Sequence, residues 1–391
     1  MNWEDRLSPL VKAVPPSGIR RFFDIAAEME DVISLGVGEP DFVTPWTIRE
    51  SCVYGLEQGY TSYTANRGLL ELRQEIASHY NTRFGINYDV KENILVTVGV
   101  SEALDIAMRA ILAPGDEILI PEPCYVSYKA CAALAGAVPV SVPTKIENDF
   151  RLTPDDLKAH LTAKTKALLI GYPNNPTGAV MSRENLLRIA EFAKANDLIV
   201  ISDEIYGDLT YGNEKHICFA SLPDMQERTI LLNGFSKAYA MTGWRIGYAL
   251  AAPEIIAAMT KIHQYTMLCA PITAQLAAVE ALRHGEKYMR NMVQEYDRRR
   301  RFIYDGFQKL GLECFEPKGA FYIFPSIRST GLTSEEFAEQ LLKTEHVALV
   351  PGNAFGECGE GYIRCSYATS LDNITEALAR IGNFLKKYQK R

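Results

Sequence analysis

The chain has 391 residues, of which 47% are hydrophobic and 23% charged, a composition typical of a globular protein long enough for two domains. A formal net charge of -7 argues against proteins that bind nucleic acids or membrane surfaces, and we expect neither kind of partner. Because no apolar run reaches the roughly 18 residues that cross a bilayer and the N-terminus lacks a signal-peptide pattern, we expect a cytoplasmic protein.

The first part of the chain predicts an arm followed by alternating strands and helices. Residues 1–45 are rich in proline and glycine, which favours an arm. From about residue 90 to 250, helical patterns separate the strand-like runs ILVTV, EILIP, VPVSV, ALLIGYP, LIVISD, TILLNGF and RIGYALAA. This alternation predicts a mostly parallel sheet covered by helices on both faces, and such sheets bind ligands at the carboxyl ends of their strands.

The remainder of the chain predicts a smaller α/β domain. A helical pattern near residues 284–310 contains Arg298–Arg301, whose side chains we expect mostly to face solvent. Three strand-like runs follow, FYIFPSI, VALVPG and YIRCSYA, before a helical tail from Leu371. We therefore expect an arm with part of the small domain at 1–45, a large ligand-binding domain at 46–285 and a small C-terminal domain at 286–391.

Candidate functional residues stand where strands end. Gly99 follows ILVTV and leads into a helix near Ser101, whose first-turn N–H groups could hold phosphate, although many such turns bind nothing. Asp203 ends LIVISD, and a buried carboxylate there needs a partner such as a protonated pyridine nitrogen, unless it is a helix cap. Lys237 follows TILLNGF; a desolvated lysine amine can form an imine with an aldehyde, whereas a lone lysine is more often a surface charge.

Three more residues each allow two interpretations. Asn175 lies in the turn NNPTG, whose composition turn chemistry alone explains. Arg364 in YIRCSYA either binds a carboxylate or faces solvent on a strand, and Tyr125 either stacks on a flat ring or belongs to the core. Eight cysteines without CxxC spacing and six histidines without HExxH spacing predict reduced thiols and no metal site.

Eight motifs, in this order along the chain, together resemble one family. They are SLGVGEPDF, TSYTANRGLLELR, GVSEAL, EPCYVSY, GYPNNPTG, SDEIY, GFSKAYAMTGWRIGY and YIRCSY. The resemblance is to class I, fold type I aminotransferases that use pyridoxal 5′-phosphate, and within them to the bacterial and archaeal branch of aspartate, aromatic and N-acetyl-diaminopimelate enzymes. It covers nearly the whole chain and implies a large domain with a mostly parallel seven-stranded sheet flanked by helices, plus a smaller α/β domain.

The resemblance also implies roles for the matching residues. As catalytic residues, Lys237 would form a Schiff base with the cofactor, Asp203 would pair with the pyridine nitrogen, and Tyr206 would hydrogen-bond the phenolic oxygen. The other cofactor ligands would be Tyr125 on the ring, Asn175 at the phenolic oxygen, Ser236 and Arg245 at the phosphate, and the turn Val100, Ser101 and Glu102 through its backbone. The implied substrate-binding residues are Arg364, Asn175 and the backbone at Gly38 for the α-carboxylate, with Ile19 in the arm near the side chain.

Tyr63 would reach the phosphate of a neighbouring subunit, so the resemblance implies a homodimer with shared active sites. Two positions depart from the family pattern. Gly234 stands where many relatives carry Ser or Thr at the phosphate, and Val100 replaces a smaller residue. We expect cofactor binding somewhat weaker than in those relatives and unchanged chemistry.

The expected reaction moves the amino group of an amino acid to 2-oxoglutarate by a ping-pong mechanism. Aspartate, aromatic amino acids and an N-acylated diaminopimelate all remain possible donors, with Arg20, Arg21, Lys129 and Lys261 as weak candidates for a second carboxylate. A carbon–sulfur lyase or an aminocyclopropane-carboxylate-type synthase could use the same residues, because a fold does not fix a reaction. An effector-binding domain of a transcription regulator is disfavoured, because we expect no winged-helix segment before the match begins at SGIRRF.

Overall fold

The computed structural model of the protein describes residues 3–16 and 29–388. Its strands are β1 Ile33–Ser34, β2 Ile94–Thr97, β3 Glu117–Glu122, β4 Val138–Pro143, β5 Thr165–Gly171, β6 Ile199–Asp203, β7 Thr229–Gly234, β8 Gly247–Leu250, β9 Tyr322–Ile323, β10 Val347–Ala348, β11 Val350–Pro351 and β12 Ile363–Ser366. Its α-helices are Pro9–Ala13, Trp46–Glu57, Leu70–Phe84, Gly99–Ile111, Ser127–Leu134, Pro154–Lys158, Arg183–Ala195, Pro253–Thr266, Ile272–His284, Glu286–Lys309, Ser334–Glu345 and Leu371–Leu385.

A central sheet organises residues 94 to 250. Within the described residues it has seven strands in the order β2-β8-β7-β6-β5-β3-β4. β8 runs antiparallel to β2 and β7, and the other pairs are parallel. The side chains of β2, β6 and β7 are almost all buried, as expected of parallel strands that carry helices on both faces. The prediction of a mostly parallel sheet flanked by helices is confirmed.

A smaller α/β unit combines the C-terminal elements with a segment from near the N-terminus. β11, β12 and β9 form an antiparallel sheet, and β1 pairs in parallel with β10. The Ser366 N–H donates to the Leu35 carbonyl at 2.6 Å, which fixes the segment after β1 against β12. Of the predicted strand FYIFPSI, only Tyr322–Ile323 pairs as a strand.

The arginine run on the helix Glu286–Lys309 differs from the expectation. Arg298 and Arg301 are largely exposed, but Arg299 and Arg300 are buried. Arg299 pairs with Asp41 at 2.8 Å, and Arg300 also makes ion pairs with carboxylates of its surroundings. The prediction of solvent-facing arginines was therefore wrong for two of the four, because long-range carboxylate partners make their burial possible.

The sheet topology brings four strand ends to one edge. β8 is antiparallel to both β2 and β7, so β2 and β7 point the same way as β5 and β6. The residues that follow these four strands include Gly99, Asn175 and Lys237, and Asp203 is the last residue of β6.

Among the helices in residues 3–16 and 29–388, none is long and apolar enough to cross a bilayer.

Candidate active site

A cavity of about 1150 Å³ opens at this edge of the sheet. Most of the predicted site residues line it: Gly38, Val100, Ser101, Tyr125, Asn175, Asp203, Tyr206, Ser236, Lys237, Arg245 and Arg364. Residues far apart in the chain therefore meet in one place. The cavity is also large enough for a cofactor and a small substrate together.

Lys237 lies just beyond β7 and directs its amine into the cavity. Its Nζ donates to the Gly38 carbonyl at 2.7 Å and lies 5.9 Å above the ring of Tyr206 and 5.7 Å above that of Phe321. Burial, assisted by Arg364 and Arg245, lowers the pKa of Lys237 to about 8 from the ordinary 10.5. A lysine with a pKa of about 8 is about one-tenth free amine at pH 7, several hundred times more than a lysine with the ordinary pKa, and the free amine is the nucleophilic form.

Asp203 is a buried carboxylate at the end of β6. Its oxygens accept hydrogen bonds from the Tyr128 hydroxyl at 2.8 Å and from the Ile205 N–H at 3.2 Å. Burial nevertheless raises the pKa of Asp203 to about 6, against the opposing effect of these two bonds. The ionised carboxylate is thus short of positive charge, and a bound cation would satisfy it.

Tyr128 is a residue that the sequence analysis missed, although it lies in the quoted motif EPCYVSY. It reaches Asp203 from the helix Ser127–Leu134 across β5. Gly171 makes this possible, because a Cβ at that position would lie 2.5 Å from the Tyr128 hydroxyl. Gly171 pairs directly with Asp203 in the sheet register. A tyrosine one helical turn after Tyr125, near the start of a helix, was the available signal.

The first turn of the helix Gly99–Ile111 forms another wall of the cavity. Gly99 has φ +75°, and a Cβ on it would lie 2.7 Å from Nη2 of Arg245. The guanidinium therefore lies directly against the turn, and its Nη1 donates to the Thr242 carbonyl at 2.8 Å. A cation beside free N–H groups at a helix N-terminus is a suitable site for a phosphate.

Glu102 is the one predicted residue of this turn that does not line the cavity. Its carboxylate is buried, accepts the Val98 N–H at 2.5 Å and lies 2.5 Å from Nδ1 of the fully buried His263. The side chain thus holds the turn from the side away from the cavity and does not face a ligand there. His263, on the helix Pro253–Thr266, is a second residue that the sequence analysis missed.

We expect His263→Leu to lower the free energy of unfolding by about 2–4 kcal/mol, because it leaves one oxygen of the buried Glu102 carboxylate unpaired while the other keeps the Val98 N–H. Denaturant unfolding of the purified protein measures this effect. The matched control is His284→Ala, since His284 pairs with Glu280 at 2.9 Å but its side chain is 65% exposed. The control should change stability by less than about 0.5 kcal/mol, and equal losses in the two variants would contradict this role of the buried pair.

Arg364 is buried in β12 with its guanidinium at the cavity, so the interpretation of a solvent-facing strand arginine was wrong. Nη1 donates to the Asn175 side chain at 3.1 Å, and Nη2 donates to the Gly36 carbonyl. The guanidinium also lies 4.6 Å above the ring of Tyr322. Its Nε is buried and has no partner within the described residues, so the Nη1 and Nη2 end of the planar fork is the part suited to a ligand carboxylate.

Some predicted residues do not line the cavity, and one that does is already paired with a carboxylate. Tyr63 is 82% exposed and does not line it, and Ile19, Arg20 and Arg21 lie outside the described residues. Lys129 lines the cavity but is paired with the buried carboxylate of Glu122, and Lys261 is exposed outside the lining. Among side chains in the described ranges, no group of three or more His, Cys, Asp or Glu could hold a metal ion.

Comparison with known proteins identifies similar chains. The family profile described as "Aminotransferase class I and II" matches residues 30–381. An aspartate aminotransferase of Pyrococcus abyssi is 49% identical over 97% of this chain and 98% of its own length, and aromatic-amino-acid aminotransferase 2 of Thermococcus litoralis is 46% identical over the same shares. The crystal structure of an aromatic aminotransferase from Pyrococcus horikoshii superposes with a TM-score of 0.90 and 47% identity, covering 94% of this chain and 99% of that one.

Proposed function

Because this chain belongs to the family of class I and II aminotransferases, we propose that it transfers amino groups between amino acids and 2-oxo acids with pyridoxal 5′-phosphate in the described cavity. The observation that carries the proposal is the electrostatic neighbourhood of Lys237. Its pKa responds to Glu39, Arg364, Arg245 and Asp203 together, so two cations and two carboxylates surround one deprotonatable amine. Each of these charges has a counterpart in the cofactor or in an amino acid.

The residues present fit pyridoxal phosphate. The turn at Gly99 and Arg245 offers N–H groups and a cation for its phosphate, and Asp203 lacks the cation that a protonated pyridine nitrogen would supply. Lys237 is the amine for its aldehyde. Tyr125 is placed at the cavity wall, where it could stack on a flat ring.

When bound, the cofactor supplies an electron-withdrawing ring that stabilises negative charge at the α-carbon of an amino acid. Asp203 would hold a proton on the ring nitrogen, and Arg364 with Asn175 would bind and orient the α-carboxylate. Tyr206 would donate to the phenolic oxygen. The Lys237 amine would take the α-proton as a general base and return it two bonds away, at the former aldehyde carbon of the cofactor.

We expect the apoprotein to capture pyridoxal phosphate covalently at a rate that rises about tenfold per pH unit below pH 8 and levels off above it. The reason is that only the free amine attacks, and burial lowers the pKa of Lys237 to about 8. Stopped-flow absorbance at a series of pH values measures this profile. A rate that keeps rising to pH 10 would show an ordinary lysine instead.

We propose glutamate and 2-oxoglutarate as one substrate pair, with aspartate, an aromatic amino acid or an N-acylated diaminopimelate as the other donor. Similar proteins named as aspartate, aromatic-amino-acid and N-acetyl-LL-diaminopimelate aminotransferases support this range. Initial rates measured against both substrates should give the parallel double-reciprocal lines of a ping-pong mechanism. The carbon–sulfur lyase alternative predicts instead pyruvate and ammonia from cystathionine with no amino acceptor.

We propose a homodimer with shared active sites, supported by exposed apolar side chains close to one another in the chain. They are Val53, Tyr54, Leu56, Tyr60 and Tyr63. A cluster of large apolar side chains left exposed to solvent commonly marks a protein interface. Sedimentation should therefore give twice the chain mass of 43.6 kDa, and a monomer would contradict the proposal.

We also propose that the boundaries after residues 45 and 285 separate the arm, the large cofactor-binding domain and the small domain. The central sheet lies wholly within 46–285, and β9 to β12 lie within 286–391. All eight cysteines are free thiols, which is the state expected in a reducing compartment and supports a cytoplasmic location.

A further inference from the structure

Tyr322 lies in the strand-like run FYIFPSI, outside the motifs that carry the family resemblance, yet it touches several groups that the proposed function uses. It is buried on β9 and lines the cavity. Its hydroxyl is 2.7 Å from the hydroxyl of Tyr206, and the Arg364 guanidinium lies over its ring at 4.6 Å. A Cβ at Gly38 would overlap the same hydroxyl, so the backbone that accepts the Lys237 amine also packs against Tyr322.

The two hydroxyls share one hydrogen bond but carry two protons. Burial raises the pKa of Tyr206 well above its usual value and also raises that of Tyr322, so both are protonated at neutral pH. Within residues 3–16 and 29–388, their mutual bond is the one hydrogen bond that either hydroxyl makes. One of the two protons therefore remains for an oxygen that enters the cavity.

The position of Arg364 decides which hydroxyl donates. The guanidinium lies 4.6 Å above the Tyr322 ring, and its positive charge opposes the rise in pKa at Tyr322 as the largest effect after burial, whereas at Tyr206 it ranks behind both effects of Tyr322. Tyr322 is thus the more acidic phenol and the better donor. When Tyr322 donates to Tyr206, the proton of Tyr206 is left for a third oxygen.

We propose that Tyr322 is a positioning residue whose hydroxyl donates to Tyr206 and thereby directs the Tyr206 proton to the phenolic oxygen of the cofactor. A hydroxyl that accepts a hydrogen bond also becomes a stronger donor, so Tyr322 would strengthen the contact as well as orient it. The inference rests on the proposed function, because the phenolic oxygen belongs to pyridoxal phosphate.

The variant Tyr322→Phe tests this, because it removes the hydroxyl and keeps the ring beneath Arg364. The readout is the pH midpoint of the visible absorption change of the holoenzyme, which reports the proton shared between the lysine nitrogen and the phenolic oxygen. A weaker donor at that oxygen lets the shared proton bind more tightly. We therefore expect the midpoint to rise by about half a pH unit, while KM for the amino donor stays within about twofold.

Two further variants make the result specific. Tyr206→Phe should raise the midpoint more, and adding Tyr322→Phe to it should cause no additional shift, because Tyr322 acts through Tyr206. Tyr367→Phe is the matched control: this buried tyrosine donates to the Ala320 carbonyl at 3.2 Å and does not line the cavity. Its midpoint should equal that of the wild type.

An unchanged midpoint in Tyr322→Phe would overturn the inference, and so would an equal shift with and without the Tyr206 hydroxyl. Neither result would contradict the proposed function, because in both cases the wild-type holoenzyme still shows the visible absorption band of the bound cofactor. A wild-type protein that acquires no visible band with pyridoxal phosphate would instead refute the proposed function, and the role of Tyr322 with it.

Discussion

Replacement of Lys237 by alanine is expected to lower kcat/KM for transamination by at least about a thousandfold. The substitution removes both the covalent attachment point and the base that moves the α-proton, and proton transfer alone contributes about a hundredfold to ten-thousandfold in enzymes. Steady-state assays with glutamate and a second 2-oxo acid measure the loss.

Two controls separate chemistry from folding. Lys237→Arg keeps a cation but cannot form the covalent link, so it should be as inactive as the alanine variant. Lys343→Ala removes a lysine that is 65% exposed on the helix Ser334–Glu345, and its activity should match that of the wild type. Near-normal turnover by Lys237→Ala would refute the assignment of the catalytic lysine.

The Asp203→Asn variant is expected to lose at least about a hundredfold in kcat, because each unit by which the carboxylate raises the pKa of the ring nitrogen is worth about 1.4 kcal/mol. The amide can still accept the Tyr128 hydroxyl, so the geometry of the site should survive. Asp203→Glu is the matched variant: it keeps the charge and should retain more activity than the amide. Activity in Asp203→Asn close to the wild-type value would contradict the pairing.

The same substitution should have the opposite effect on the stability of the cofactor-free protein. Burial raises the pKa of Asp203 from 3.8 to about 6, so above pH 6 the folded state pays for an ionised carboxylate. A difference of about 2 units corresponds to about 3 kcal/mol. The Asn variant should therefore be more stable than the wild type by up to that amount at pH 7. This gain in stability should shrink below pH 6 and vanish near pH 4. Denaturant unfolding of both proteins at these pH values measures it, and equal stabilities at pH 7 would contradict the prediction.

The residues that the sequence predicted well are those that follow buried strands. Asp203, Asn175 and Lys237 could be placed at one edge because parallel strands end on the same side of a sheet. The partners that orient them could not be placed in this way. Tyr128 contacts Asp203 across 75 residues, and Tyr322 contacts Tyr206 across 116, so only the folded chain brings them together.

Burial of charge was the other quantity that the sequence did not reveal. Arg364 and Arg299 occupy positions where a strand or helix pattern alone allows solvent exposure, yet both are buried. Arg299 pairs with the distant Asp41 carboxylate, and Arg364 donates to the distant Asn175 side chain. Gly234 is a related case. A Cβ there would lie 3.0 Å from the Gly247 Cα, so the close approach of β7 and β8 favours glycine at this position.

The most direct test of the account is the visible spectrum of the holoenzyme while single amino acids are added without any 2-oxo acid. A transaminase completes only half of its reaction under these conditions. The account predicts that a suitable donor replaces the band of the lysine-bound cofactor with that of pyridoxamine phosphate, and that 2-oxoglutarate restores the first band. A protein whose band persists with every donor, or that takes up no cofactor at Lys237, would contradict it.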